Sequence, residues 1–350
     1  MTVDFLILGQ GIAGSVLALK LLENGQSVVV INNTSTNQAS KVAAGLYNPI
    51  TGNKMSKTWL AEAIFPYLTN FYYTAEQTLA TQFLHEKHIF RPFLTAEERA
   101  VWLNRGSAAA YKPFIESVVD ASYQHKNMVY RHGGLLLKQA GYVDVPCFLK
   151  ATRVYLKRRG AYLEADFKYP QIQLGTGITY QGIEAQKLIF CEGPQVVQNP
   201  FFGKLSFRPV KGERIEVILQ QPLEVIYNRG VFVLPQAGSQ ALIGATYERR
   251  DLSLKPTARA RQFLEQKLHS TFSLTYTVIG QKAGIRPATF DSKPFIGLHP
   301  YYQQLAIFNG FGSKGVSLAP YLAKVFVKHL LFHKGLPKEV ECSRAGLWPN

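Results

Sequence analysis

Cysteine is scarce in this sequence, and its scarcity narrows the classes of protein to consider. The 350 residues include only Cys147, Cys191 and Cys342, which lie far apart. A disulfide framework needs a denser, even-numbered set, and a cysteine metal site needs closely spaced pairs. The eight histidines also lack metal-ligand spacing. We therefore expect reduced thiols, no metal site and a cytoplasmic protein.

Long apolar runs are missing as well, although 47% of the residues are hydrophobic. None approaches the roughly 18 residues that a transmembrane helix needs, so we expect no membrane partner. The first strand pattern starts at Val3, without the basic region and cleavage site of a secretory signal. Composition therefore favours a globular protein without a signal peptide, and no pattern in it indicates an oligomeric state.

Acidic residues are too few to balance the basic ones. The sequence has 23 Asp and Glu against 39 Lys and Arg, which gives a formal charge of +16. A field of this sign attracts anionic partners, and tRNA is one such partner. Basic residues such as Arg249 and Arg250 also look like the solvated faces of helices and hairpins. Both interpretations stay open.

The amino-terminal segment has the order strand, glycine turn, helix, strand. Phe5–Leu8 is a continuous apolar run, as expected of a buried parallel strand. Ile12–Asn24 has the apolar spacing of a helix packed on a sheet, and Ser27–Ile31 is a second buried strand. Between the first strand and the helix lies a GxGxxG fingerprint, which comprises Gly9, Gln10, Gly11, Ile12, Ala13 and Gly14. This arrangement predicts a dinucleotide-binding cradle.

Each glycine of the fingerprint has a physical task. Gly9 permits the tight turn, Gly11 lets the backbone approach a pyrophosphate, and Gly14 lets helix and strand pack closely. The helix N-terminus adds N–H groups and a positive dipole for the phosphates. Asn32, followed by Asn33, replaces the carboxylate that usually binds the ribose hydroxyls. Because an amide makes a weaker, uncharged bond, we expect the backbone to contribute more of the binding.

Later patterns indicate two kinds of strand. Buried apolar runs at residues 188–191 and 304–308 predict parallel strands, whereas alternating runs between residues 214 and 245 predict an antiparallel sheet. The sequence therefore predicts an α/β fold, with a Rossmann-like, mostly parallel nucleotide domain and an α+β substrate domain. The predicted nucleotide domain comprises residues 1–80, 140–208 and 280–350. The predicted substrate domain comprises residues 81–139 and 209–279.

Five further segments, spread over nearly the whole chain, carry recognisable motifs. They are Gln38–Leu46, Leu188–Gly193, Pro209–Glu213, Ala283–Gly297 and Gly310–Pro320. Their residues resemble motifs of the D-amino-acid oxidase superfamily of FAD oxidoreductases, which includes glycine oxidase and sarcosine oxidase. Ala283–Gly297 closely resembles the glycine-oxidase form of its motif.

The resemblance implies an FAD cofactor and the residues around it. Members that attach flavin covalently have a cysteine near a conserved arginine, and residues 280–291 contain no cysteine, so we expect non-covalent FAD. The cofactor-binding candidates are Gly9, Gly11, Ile12, Ala13, Gly14, Asn32, Asn33, Ala43, Ala44, Gly45, Leu46, Phe167, Glu192, Gly193, Arg286, Gly310, Gly312, Ser313, Lys314, Gly315 and Val316.

The resemblance also implies the chemistry, which is hydride transfer from the carbon beside an amine to flavin N5. Arg286 occupies the family position that binds the substrate carboxylate, a task that suits a planar guanidinium. Alternatively, Arg286 pairs with a loop carboxylate such as Asp291. Lys314 and the helix expected near Gly315 would stabilise negative charge on a reduced flavin. Alternatively, Lys314 is an ordinary solvated lysine.

Three aromatic residues are candidate walls of the substrate pocket beside Arg286. They are Tyr47, Phe232 and Tyr247. Aromatic residues in sheets more often belong to the core, so the assignment depends on which way each ring faces.

Three functions are compatible with these motifs. The first is FAD-dependent oxidation of the C–N bond of an amino acid or another carboxylated amine. The second is oxidative demodification of a carboxymethylaminomethyl-uridine in tRNA. It arises because Ile243–Arg249 and Gly310–Gly315 resemble the FAD domain of the bacterial bifunctional tRNA wobble-uridine modification enzyme. The third is a flavoprotein subunit without turnover of its own.

Overall fold

The computed structural model describes residues 1–33, 39–52, 54–106, 108–120, 132–270 and 272–344. Within these residues the helices are α1 (Ile12–Glu23), α2 (Ala39–Val42), α3 (Ala61–Leu79), α4 (Ala96–Arg105), α5 (Val145–Arg158), α6 (Ala258–His269) and α7 (Gly315–Phe332). The helix predicted over Ile12–Asn24 is confirmed as α1. The capping residues Thr95 and Asp144 explain the starts of α4 and α5, because their side chains accept hydrogen bonds from the first turn.

The first large sheet contains the glycine turn at its carboxyl edge. Its strands are β1 (Thr2–Leu8), β2 (Val28–Asn32), β11 (Tyr162–Glu164), β12 (Gln173–Leu174), β13 (Ile178–Tyr180), β14 (Ile183–Phe190), β20 (Phe295–Leu298) and β21 (Leu305–Asn309). Strands β11, β2, β1, β14 and β21 lie side by side and parallel. Both faces of this parallel core are covered, since every residue of β2 is buried. Helix α1 packs against α7, and α7 packs against α3.

The second large sheet forms the other side of the site. Its strands are β7 (Ile89–Pro92), β8 (Ile115–Val119), β9 (Gly134–Leu137), β15 (Val210–Leu219), β16 (Ile226–Arg229), β17 (Val231–Pro235), β18 (Gln240–Gly244) and β19 (Tyr276–Arg286). They lie in the order β19-β15-β18-β17-β16-β7-β9-β8. Neighbours run antiparallel except β16 and β7, which are parallel. Burial alternates along β18, as the alternating run in the sequence predicts for a strand of an antiparallel sheet.

Two small sheets connect the large ones. One consists of β3 (Leu46–Tyr47), β10 (Gly141–Val143) and β6 (Leu84–Glu86), and the other of β4 (Ile50–Thr51) and β5 (Ser56–Lys57). The predicted α/β class, with a parallel and an antiparallel sheet, is confirmed. The division into two domains stays a prediction. Its boundary at residue 280 falls inside β19, which belongs wholly to the second sheet.

Helix α7 is more apolar than the sequence alone suggests. Its 18 residues have a mean hydropathy of 1.2, so by length and composition it is the one described helix apolar enough to cross a bilayer. No uninterrupted apolar run marks it, because Lys324 and Lys328 interrupt the sequence while the average stays high. In the fold, 61% of the helix is buried, which is typical of a core helix.

Candidate active site

A cavity of about 810 Å³ extends from the carboxyl edge of the first sheet to the face of the second. Leu8, Asn32 and Asn309, at the ends of β1, β2 and β21, lie on its wall. Ligands of open α/β sheets bind in this position, outside the carboxyl ends of the strands. The predicted site residues that line the cavity are Gly9, Gly11, Ile12, Ala13, Asn32, Asn33, Ala43, Ala44, Gly45, Leu46, Phe167, Glu192, Gly193, Phe232, Tyr247, Arg286, Gly312, Ser313, Lys314, Gly315 and Val316.

Three predicted site residues do not line the cavity. Tyr47 is the residue after Leu46 in β3, and successive side chains of a strand face opposite ways, so Tyr47 points into the core. A Cβ on Gly14 would lie 1.9 Å from the carbonyl oxygen of Gly9, so Gly14 serves close packing. Gly310, with φ of +86°, packs against Thr289. Gln38, which begins the motif segment Gln38–Leu46, lies outside the described residues.

The glycine turn has the geometry that a dinucleotide phosphate needs. Gly9 has φ of +100°, and a Cβ there would lie 2.5 Å from the carbonyl oxygen of Cys191. Gly11 faces the cavity, and its nearest neighbour is Ser40 Oγ, 3.3 Å from a Cβ at that position. Gly11 is the N-cap residue of α1, and Ser40 Oγ accepts a hydrogen bond from the backbone N–H of Ile12 at 3.1 Å. The Gly11 backbone and the positive end of the helix line the cavity, which fits the diphosphate of FAD.

A methyl group at Gly11 is expected to weaken FAD binding while leaving the fold intact. The added Cβ of Gly11→Ala occupies the side of the turn that faces the cavity, so we expect about a 10- to 100-fold loss of affinity. Loss of glycine at the start of α1 should cost only about 1 kcal/mol of stability. Fluorescence titration of the apoprotein with FAD measures the first effect, and urea unfolding measures the second. Wild-type affinity in Gly11→Ala would contradict the assignment.

Asn32 has a role that its position in the sequence did not reveal. Its Oδ1 accepts a hydrogen bond from the backbone N–H of Gln10 at 2.8 Å, and its Nδ2 donates to the hydroxyl of Tyr162 at 3.3 Å. The amide therefore braces the glycine turn. A carboxylate lies close by, because Asn33 donates a hydrogen bond to Asp166, which also lines the cavity.

Asp166 was missed in the sequence because its signal is topological. It follows β11, which pairs with β2 so that Glu164 lies opposite Asn32. The pairing brings Asp166 to the end of β2 across more than a hundred residues of sequence. The sequence would have indicated Asp166 only if it had shown that β11 pairs with β2 in the parallel sheet. The short run Tyr162–Glu164 does not show this pairing.

Glu192 is a buried carboxyl group on the cavity wall. Its oxygens accept hydrogen bonds from the hydroxyl of Tyr169 and, at 2.7 Å, from Nδ2 of Asn199. Burial raises the pKa of Glu192 to about 7, and the two hydrogen bonds oppose that rise. Neither partner was predicted from the sequence.

The stability of the apoprotein should depend on pH through Glu192. Since the folded pKa of about 7 lies above the ordinary 4.5, the fold favours the protonated carboxyl. That stabilisation is present below about pH 4.5 and is lost as the pH rises through 7. We therefore expect Glu192→Gln to gain stability relative to wild type between about pH 5 and 8, on the order of 1–2 kcal/mol. Urea unfolding of both proteins at pH 5 and pH 8 measures the difference in stability between Glu192→Gln and wild type. A difference that is the same at the two pH values would count against this prediction.

Arg286 extends from the end of β19 across the floor of the cavity. Its guanidinium donates to the carbonyl oxygen of Thr246 at 3.1 Å and lies 4.5 Å from the ring centre of Tyr247. It covers Gly212, where a Cβ would lie 2.1 Å from Nη2. Burial lowers its pKa, yet an arginine remains charged at neutral pH.

No carboxylate among the described residues forms an ion pair with Arg286. Asp291, the alternative partner considered from the sequence, instead forms an ion pair with Arg344 at 3.4 Å and accepts from Thr289 at 3.2 Å. The described residues therefore leave the charge of Arg286 without a protein counter-ion. The cavity is the side from which an anion can reach it.

Lys314 is the N-cap residue of α7 and lines the cavity, and its side chain makes no capping hydrogen bond. Burial lowers the pKa of its amine. A lysine at the positive end of a helix opposes the usual charge preference, which places anions there. The cavity thus presents a cation and a helix N-terminus at one point, an arrangement suited to negative charge on a ligand.

Comparison with known proteins agrees with this geometry. Residues 4–329 match the family model DAO, described as FAD dependent oxidoreductase. A glycine oxidase of Geobacillus kaustophilus is 24% identical over 91% of this chain and 90% of its own length. The tRNA 5-methylaminomethyl-2-thiouridine biosynthesis bifunctional protein MnmC of Shewanella amazonensis is 24% identical over 93% of this chain, but over only 56% of its own length.

Solved structures show the same fold at low identity. Glycine oxidase from Geobacillus kaustophilus superposes with a TM-score of 0.73 at 20% identity, covering 96% of each chain. Iminodiacetate oxidase from Chelativorans sp. BNC1 gives a TM-score of 0.77 at 19% identity, covering 96% of this chain and 98% of that one. The resemblance drawn from the motifs and the FAD cofactor are confirmed. With a family match that spans most of its length, this chain belongs to the DAO family of FAD-dependent oxidoreductases.

Proposed function

We propose that this enzyme oxidises the C–N bond of a carboxylated amine, either an amino acid or a secondary amine. The observation that carries the proposal is the guanidinium of Arg286, which lines the cavity without a carboxylate partner among the described residues. A buried charge is costly unless it is paired, so the site favours a ligand that brings a carboxylate. Planar guanidinium and carboxylate groups then bind through two parallel hydrogen bonds.

The residues of this chain position the substrate and shape the charge around it. When bound, FAD accepts the two electrons that C–N oxidation releases. Arg286 fixes the carboxylate, and Thr246 holds Arg286 through its carbonyl oxygen. The rings of Phe232 and Tyr247 line the same cavity and would keep water from the amine. Lys314 and the start of α7 would hold positive charge near the reduced cofactor.

The cofactor is expected to be dissociable. Of the three cysteines, Cys191 lines the cavity. Burial raises the pKa of its thiol well above the ordinary value. Because the thiolate is the nucleophilic form, this thiol is unsuited to a covalent bond with flavin.

Anaerobic reduction of the bound flavin by a panel of amines tests the proposal. The panel contains glycine, N-alkylglycines and both enantiomers of larger amino acids. Each compound is compared with the corresponding amine that lacks the carboxylate. We expect at least one carboxylated member to bleach the oxidised flavin band, and its decarboxylated counterpart to reduce it at least 100-fold more slowly. A flavin that no amine reduces would instead support a subunit without turnover.

A tRNA substrate is a second candidate, because the net charge is +16 and the match to MnmC covers 93% of this chain. Its test is the affinity for total tRNA as a function of salt. Phosphate contacts release counter-ions, so genuine binding weakens steeply as salt rises. Absent or salt-independent binding would exclude this candidate.

A further inference from the structure

Besides Arg286, two buried guanidinium groups line the cavity, those of Arg214 and Arg91. Arg214 forms an ion pair with Glu216 at 2.9 Å, whereas Arg91, in β7, forms none among the described residues. Arg91 is 2% exposed and lines the cavity. Its Nη1 and Nη2 atoms donate to the carbonyl oxygens of Ile50 and Gly52, at 3.3 and 2.8 Å. Its Nε has no acceptor among the described residues. Two neutral carbonyl groups orient this side chain but leave its charge uncompensated.

Glu98, whose charge acts on Arg91, is already engaged. Glu98 accepts two hydrogen bonds from Nη2 of Arg229, at 2.8 and 3.1 Å. Arg229 therefore holds this carboxylate, and Arg91 forms no ion pair with it. Burial, with a smaller contribution from Arg229, lowers the pKa of Arg91 to about 10, as expected of a buried cation without its own counter-ion. A second anion in the cavity would complete the charge balance.

Arg91 lies far from Arg286 on the same sheet. The guanidinium of Arg286 covers Gly212 in β15, and β18, β17 and β16 separate β15 from β7. Four strand spacings correspond to about 19 Å between the two backbones. Both residues line the same cavity, so one elongated ligand in it can contact both guanidinium groups.

The floor between the two cations is partly apolar. Asn228 lies opposite Phe232, and Phe232 lies opposite Gly244, so the three share one face of the sheet. All three line the cavity. A Cβ on Gly244 would lie 2.8 Å from the ring of Phe232, so the missing side chain lets the ring lie over the strand. The ring of Phe232 thus lies between Arg286 and Arg91, with the Asn228 amide on the Arg91 side. Arg214, which is paired with Glu216, lies opposite Gly244 on the Arg286 side.

We propose that the substrate is a dianionic amine. Its first carboxylate, beside the amine, binds Arg286, and a second acidic group at the far end of an apolar chain binds Arg91. This inference rests on the proposed function for the first contact and adds the second. The part of the ligand between its two acidic groups is expected to be an apolar chain of several atoms, because it would pack on the ring of Phe232.

Binding of linear dicarboxylates to the FAD-loaded protein tests this without turnover. α,ω-Alkanedioates of increasing length are titrated beside alkanoates of equal chain length, and perturbation of the flavin absorption band reports the dissociation constant. We expect a dicarboxylate of the right length to bind at least tenfold more tightly than its monocarboxylate. Arg91→Met is expected to abolish this advantage and leave the monocarboxylate affinity unchanged. Arg91→Lys keeps the charge and should retain part of the advantage.

The outcomes separate the two proposals. If monocarboxylates bind and dicarboxylates of every length bind no more tightly, the second contact is wrong and the proposed function stands. If neither class binds, the anchor at Arg286 is wrong and both fail. If both Arg91 variants lose the two ligand classes equally, Arg91 serves the structure of the 50–52 segment and the inference is overturned. Should Arg91→Met fail to load FAD, selective loss of dicarboxylate affinity in Arg91→Lys carries the same test.

Discussion

Arg286→Met is expected to load FAD normally and to oxidise a carboxylated amine with a kcat/KM about 10²- to 10³-fold below wild type. Truncating one partner of a buried, hydrogen-bonded charge pair costs about 2–5 kcal/mol, and each 1.4 kcal/mol is a factor of ten. Methionine keeps a long apolar side chain over Gly212, so the sheet should be little disturbed. Flavin content and the rate of anaerobic flavin reduction measure the two parts of this prediction.

Arg249→Met is the matched control for Arg286→Met. Arg249 lies shortly after Tyr247 in sequence, and its side chain is exposed. Its replacement removes the same charge from the protein without touching the cavity lining. We expect wild-type flavin reduction in Arg249→Met. Unchanged turnover of a carboxylated amine by Arg286→Met would remove Arg286 from the site.

Gly212→Ala is expected to lower kcat/KM by about 10- to 100-fold, because it displaces the guanidinium of Arg286 without removing its charge. The added Cβ would lie 2.1 Å from Nη2 and 2.4 Å from Nη1, so the guanidinium must move off the strand. A displacement of this size misaligns the substrate carbon that it orients, which is costly even without loss of charge. We expect both a higher KM and a lower kcat in steady-state kinetics, with FAD affinity unchanged.

Gly175→Ala controls for the loss of a glycine. No atom of the described residues lies within 4 Å of a Cβ at this position, so the extra methyl group meets none of them. Gly175→Ala should therefore keep wild-type kinetics. If Gly212→Ala keeps them as well, the close contact between Gly212 and Arg286 does not position the substrate.

The cofactor cradle was the part of the site most open to prediction, because it is local. One strand, one turn and one helix set its geometry, and Gly9 marks a turn in which a side chain would clash with the backbone of Cys191. The start of α7 is local in the same way, since Gly315 opens a long apolar helix. In both cases the residues that act together are neighbours in sequence.

The rest of the site depends on pairings that a single sequence does not display. Asp166 reaches the cradle only because β11 pairs with β2, and Arg91 reaches the cavity only because β7 pairs with β16. Tyr47 was misplaced for a different reason. In a strand of two residues, a shift of one position decides between cavity and core. Asn32 lines the cavity, and its bond to the Gln10 N–H is a detail of side-chain geometry that the sequence does not display.

The central claim is that a substrate carboxylate binds Arg286, and a crystal structure of the FAD-loaded protein with a short, non-oxidisable 2-hydroxy acid tests it most directly. We predict that both carboxylate oxygens lie within hydrogen-bonding distance of the Arg286 guanidinium, with the 2-carbon turned toward the flavin. A carboxylate bound elsewhere, with Arg286 paired to a carboxylate of the protein itself, would contradict the account.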